Sequence, residues 1–228
     1  MGAMKLHEEL LLLVLHEEKG TAKGTYANLA VAAGVLGELV TEGRLEIADD
    51  KKGTVTVADP SPTGEGAMDA ALDAIASARK PRPLKVWVER IAKQRGLRDQ
   101  VAAPLVAQGV LHQESKKVLG LFSRTRYPEA DPGPEQELVE RIRKAVFDDG
   151  PSRDVDEQTC VVVAIASSAE LLPRIFGRKE VARRKDRIAA LAADERLGEA
   201  TRKAVQELQA AIVLAVTAAA ASSAASGN

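Results

Sequence analysis

Apolar residues recur at three- and four-residue intervals along most of this chain, the spacing that gathers them on one face of a helix. Leu6, Leu10, Leu13 and Val14 predict a first helix that ends near Gly20. Leu29, Ala33, Leu36 and Val40 predict a second over 26–42, stopped by Gly43. Two short alternating runs follow, Arg44–Ala48 and Thr54–Ala58, joined by Asp49-Asp50-Lys51-Lys52-Gly53, the mark of a β-hairpin. Pro60-Ser61-Pro62-Thr63-Gly64 then breaks the chain before a helix ending near Ala78. From Pro134 onward the pattern predicts helices near 135–147, 155–168, 178–193 and 199–218, with Pro151 and Pro173 between them or at their edges. The run Cys160–Ala166 is apolar on every side and reads as a helix at the centre of a bundle, although its β-branched residues would also suit a buried strand.

One device occurs twice. Leu39-Val40-Thr41-Glu42-Gly43-Arg44-Leu45 and Leu105-Val106-Ala107-Gln108-Gly109-Val110-Leu111 each end a helix at a glycine suited to a left-handed cap and then enter a strand. Lys51-Lys52 and Lys116-Lys117 mark the two expected turns, and Pro60 and Pro128 close the second strands. The pattern is a degenerate helix–hairpin–helix repeat. The expected fold is mainly α, a single compact helical-bundle domain with two small β-hairpins. It spans residues 4–218, after a cloning remnant at 1–3 and before a flexible small-residue tail at 219–228.

Composition narrows the classes. The 228 residues are 45% hydrophobic and 29% charged, as in a globular domain, but only 3% aromatic, so aliphatic side chains must build the core. A single cysteine, Cys160, excludes an internal disulfide and, among apolar neighbours, is expected to be buried and unreactive. His7, His16 and His112 lack ligand spacing, so no metal and no cofactor is expected. The six-residue apolar run from Leu10 is too short to span a bilayer. The charge-free stretch after Leu208 is mostly Ala and Ser and reads as a terminal helix rather than a membrane span.

The formal net charge of −1 conceals segregation. Segments 79–98, 116–126 and 174–187 carry +7, +4 and +5, leaving −17 for the rest. Such a chain can present a basic face to an anionic partner. Catalytic motifs are missing: there is no Gly-x-Ser-x-Gly elbow, no His-Glu-x-x-His and no phosphate-loop lysine, which points away from an enzyme. Adjacent carboxylates such as Glu8-Glu9 read as a solvated surface or as helix N-terminal charge. Trp87, flanked by Lys85 and Arg90, reads as a core residue before a membrane anchor. In the second hairpin, Lys116, Lys117, Arg124 and Arg126 flank Val118-Leu119-Gly120-Leu121-Phe122, a mixture suited to an anionic lipid surface or to covering the core. Helix, glycine stop and hairpin also describe a winged helix, so nucleic-acid binding is the alternative, though no helix carries a base-reading stripe. A third reading is an interaction protein that oligomerises through its hairpin.

Leu6-His7-Glu8-Glu9-Leu10-Leu11-Leu12-Leu13, Gly37–Leu45 and Gly96-Leu97-Arg98-Asp99-Gln100 through Leu111, in this order and with an Ala-rich final helix, resemble the Golgi phosphoprotein 3-like family over about residues 4–218. The resemblance implies a helical peripheral membrane protein that binds phosphatidylinositol 4-phosphate, here in the form of a bacterial relative, cytoplasmic and at the inner face of a membrane. The family's two pocket arginines, three apart, fall on Arg95 and Arg98, which would share one helical turn with Gly96 leaving room beside them. Arg90 is added as a further headgroup candidate. The membrane-contacting hairpin falls on 111–127, with Lys116, Lys117, Leu119, Leu121 and Phe122, and would also serve self-association. The family's pocket tryptophan and third arginine align near Lys23 and on Ala32, so neither is kept. A general anionic lipid is therefore the expected partner, with a protein partner unnamed and nucleic acid disfavoured.

Overall fold

The first helix, α1 (Leu6–Val14), is buried along its whole length, including His7, Glu8 and Glu9. A helix with so little polar surface must lie inside the molecule, and it packs against α2 (Ala27–Thr41). The computed structural model describes residues 4–15, 20, 26–118 and 122–225, and the side chains of 116–118, 122–124 and 219–225 lie outside that description. After α2 come β1 (Leu45–Ile47), β2 (Thr54–Val57), α3 (Gly66–Ala76), β3 (Arg82–Pro83), α4 (Leu84–Ala92) and α5 (Leu97–Ala107). Next are β4 (Glu114–Val118), β5 (Phe122–Arg126), α6 (Gly133–Phe147), α7 (Glu157–Ser168), α8 (Leu172–Phe176), α9 (Arg178–Arg183), α10 (Lys185–Ala192) and α11 (Glu199–Ala225). The fold is mainly α with two small antiparallel sheets.

The expected repeat is present. Gly43 and Gly109 stand at φ +69° and +76°, and each time the following amide bonds back into the helix, Arg44 to Leu39 O at 2.8 Å and Val110 to Leu105 O at 2.9 Å. Those two bonds satisfy carbonyls the helix end would otherwise leave open. A hairpin follows in both copies, β1–β2 and β4–β5. The all-apolar run forms helix α7, whose residues Thr159–Ala166 are buried, and it meets α1, α2, α6, α10 and α11. Asp156 caps it, its carboxylate accepting from the Thr159 amide at 2.8 Å.

Several expectations change. Arg82–Pro83 adds a third strand to the first sheet, pairing with β2, which no alternating pattern announced. Lys116 and Lys117 lie within β4 and pair with Arg124 and Ser123, so they are strand residues and not the turn; residues 119–121 lie outside the described residues. The single helix expected at 178–193 breaks at Arg184, whose φ is −107°. The cause is docking: the Arg184 guanidinium reaches Phe147 O at 2.7 Å and Arg187 reaches Ala145 O at 2.9 Å, two carbonyls at the electronegative end of α6. α11 continues past residue 218 to Ala225. No described helix is long and apolar enough to cross a membrane.

Glu8 and Glu9 are buried, not a solvated pair. Glu8 accepts the Lys5 amide at 2.8 Å and Glu38 of α2 accepts the Leu6 amide at 2.8 Å, so two carboxylates close the start of α1. Glu9 meets Arg141 of α6 at 2.5 Å. Burial raises all three carboxyl pKa values, against those bonds.

Candidate headgroup site

The basic stretch 79–98 folds as β3, α4, a tight turn and the first residues of α5. Trp87 is buried at 1% exposure and belongs to the core. Arg90 leaves the helix on its exposed side and lies over the Trp87 ring, 5.3 Å from its centroid. Glu89 pairs with Lys93 rather than with an arginine. The turn at the end of α4 hinges on Gly96 at φ +83°, a left-handed conformation that a side chain would strain. Nothing lies within 4 Å of where its Cβ would stand, so glycine is needed here for its backbone and not for room.

That turn brings Arg95 and Arg98 to one cavity of about 350 Å³. They do not share a helical turn as their spacing suggested. Arg95 precedes Gly96, whereas Arg98 lies in the first turn of α5. No side chain caps α5, so the positive end of its dipole borders the same cavity. Arg90 is not among the residues lining it. Neither Arg95 nor Arg98 forms an ion pair among the described residues. The neighbouring carboxylate, Asp99, accepts the Tyr127 hydroxyl at 2.7 Å. Burial, followed by that bond, pushes the Tyr127 phenol well above its ordinary range, so it stays a donor.

Sequence reasoning missed the rest of the lining. Asn28 comes from α2 and is held by a bond to Ala92 O at 3.0 Å. Thr125 comes from β5, and Tyr127 follows it, its amide bonded to Gly20 O at 3.0 Å. Gln94, from the α4–α5 turn, buries an amide oxygen with no partner among the described residues. These residues share no motif; the one available signal was the aromatic at the end of the second hairpin. Of the hairpin candidates, Leu119 and Leu121 lie outside the described residues, and Lys116, Lys117 and Phe122 are placed by backbone alone. Ala32, where the third arginine would stand, is fully buried.

Cys160 is buried, and desolvation lifts its thiol to about 11. It is a poor nucleophile at neutral pH. Among the described residues no three His, Cys, Asp or Glu side chains are arranged to hold a metal ion.

The architecture is that of a mainly helical domain with two hairpins and a basic cavity where the α4–α5 turn meets β5. Residues 6–208 match the family Golgi phosphoprotein 3 (GPP34), nearly the whole chain, and the protein belongs to that family. Membership is consistent with a module that binds lipid or protein.

Proposed function

We propose that this protein is a peripheral membrane-binding module that holds an anionic lipid headgroup in the Arg95–Arg98 cavity, binding it without chemical change. The observation that carries the reading is the pair of guanidinium groups bordering one cavity, free of ion pairs among the described residues, beside the uncapped start of α5. Guanidinium forks suit phosphate oxygens, and an uncapped helix start adds amide donors. The lone oxygen of Gln94 suits a hydroxyl of the glycerol or inositol that carries the phosphate. Thr125, in the far strand of the 111–127 hairpin, and Tyr127, just after it, line the cavity and bring the hairpin's base to the site. Without the family's tryptophan and third arginine, the phosphate rather than a particular inositol ring is what the site would read.

Co-sedimentation of the full chain with phosphatidylcholine vesicles containing phosphatidylglycerol tests this. A cation near an anionic surface contributes about 1 kcal/mol, so R95E/R98E should bind at least roughly tenfold more weakly. Its thermal midpoint should stay near that of the wild type, because neither guanidinium holds the fold together. Undiminished sedimentation of the folded double variant would overturn the assignment.

A further inference from the structure

The seven basic side chains of the 174–187 segment divide once the chain is folded. Arg183 pairs with Glu180 at 2.9 Å, Arg184 donates to Asp149 and Phe147 O, and Arg187 donates to Ala145 O and Ser152 Oγ. Arg174 and Arg178 are exposed, and their side chains form no ion pair or hydrogen bond among the described residues. Both border a second cavity, of about 290 Å³, together with Tyr26, Glu170 and Val216.

Val216 ties this cavity to α11, its carbonyl accepting the Tyr26 hydroxyl at 3.1 Å. Nearly one turn earlier stand Val213 and Leu214, the two large apolar side chains that the described residues leave exposed, at 49% and 52%. After Glu207 the helix carries no charged residue. Exposed aliphatic side chains on a helix that also borders two unpaired arginines suit a bilayer interface, where cations meet phosphates and methyl groups enter the acyl boundary. The first cavity is close by. Tyr26 borders the second and Asn28 borders the first, so both cavities adjoin the start of α2.

We propose that Arg174, Arg178 and the Val213–Leu214 face of α11 form a second contact with the same anionic bilayer. The proposal rests on the membrane reading of the Arg95–Arg98 cavity and adds a second anchor on one rigid body, where two weak contacts multiply. Glu170 opposes it, since its carboxylate borders the same cavity and would repel a phosphate.

Phosphatidylcholine vesicles with and without phosphatidylglycerol provide the test, with thermal unfolding and sedimentation velocity run on every variant. R174E/R178E and V213S/L214S should each lose at least tenfold in affinity for the anionic vesicles while remaining folded and of the same assembly size as the wild type. E170Q should bind more tightly. Saturable binding of soluble glycerol phosphate at the first cavity should survive R174E/R178E and be lost in R95E/R98E. If R174E/R178E binds anionic vesicles as the wild type does, the second contact is wrong and the first stands. If the wild type ignores anionic vesicles, the membrane reading falls and this inference with it. If V213S/L214S abolishes self-association of the wild type and leaves vesicle binding intact, the α11 face belongs to a second copy of the chain and the proposal is overturned.

Discussion

His7 sits on α1 with 1% of its surface exposed, and its Nδ1 has no hydrogen-bond partner among the described residues. Burial, assisted by the charge on Lys5, lowers its pKa to about 4. The unfolded imidazole titrates near 6.5, so between those values the unfolded chain binds a proton that the folded chain refuses. Stability is therefore lost as pH falls from about 6.5 to about 4 and levels off below, by at most about 3 kcal/mol. Glu8, Glu9 and Glu38 act in the opposite sense. Their raised values favour the fold at low pH and withdraw that support as pH rises above about 4.5. His7→Leu isolates the histidine. Denaturant unfolding at a series of pH values should show a flatter profile between 6.5 and 4 in the variant; an unchanged slope would mean that His7 does not drive the loss.

At the scale of elements, three helices end by the same device with different chemistry. α2 and α5 turn at Gly43 and Gly109, but α7 turns at Glu170, which adopts φ +58°. The bonding is equivalent: Leu171 N–H reaches Ala166 O at 2.9 Å and Glu170 N–H reaches Ser167 O at 3.1 Å. A side chain in this conformation costs about 1–2 kcal/mol, part of which glycine would return through its greater freedom when unfolded. Glu170→Gly should thus gain about 0.5 kcal/mol, or roughly 1–2 °C in thermal midpoint, whereas Glu170→Ala keeps the strain and should gain nothing. Equal midpoints for the two variants would locate the cost in the carboxylate rather than the backbone.

For the whole molecule, a net charge of −1 hides a surface on which paired and unpaired cations differ in role. Arg184 and Arg187 brace α10 against α6, while Arg95, Arg98, Arg174 and Arg178 remain available. Vesicle binding should therefore weaken steeply with added salt, and thermal stability should change little, because the core rather than those four arginines holds the fold. Salt-independent vesicle binding would show that apolar insertion alone carries the contact. Local sequence patterns specify that α1, α2 and α7 are helices, although α1 stops at Val14 and not near Gly20, and they specify the two glycine caps with their hairpins and the burial of Cys160. Each of these follows from periodicity, from turn chemistry or, for α7 and Cys160, from an unbroken apolar run. The sequence also singles out Arg95 and Arg98 as a pair, and both border one cavity, although Gly96 interrupts the helical turn they were expected to share. Long-range packing, by contrast, sets which charges are free, buries Glu8 and Glu9, and makes Arg82–Pro83 the third strand of a sheet. The cavity belongs to the same category. Asn28, Gln94, Thr125 and Tyr127 come from separate parts of the chain, and their meeting depends on how α2, α5 and the second hairpin pack, which no local pattern encodes.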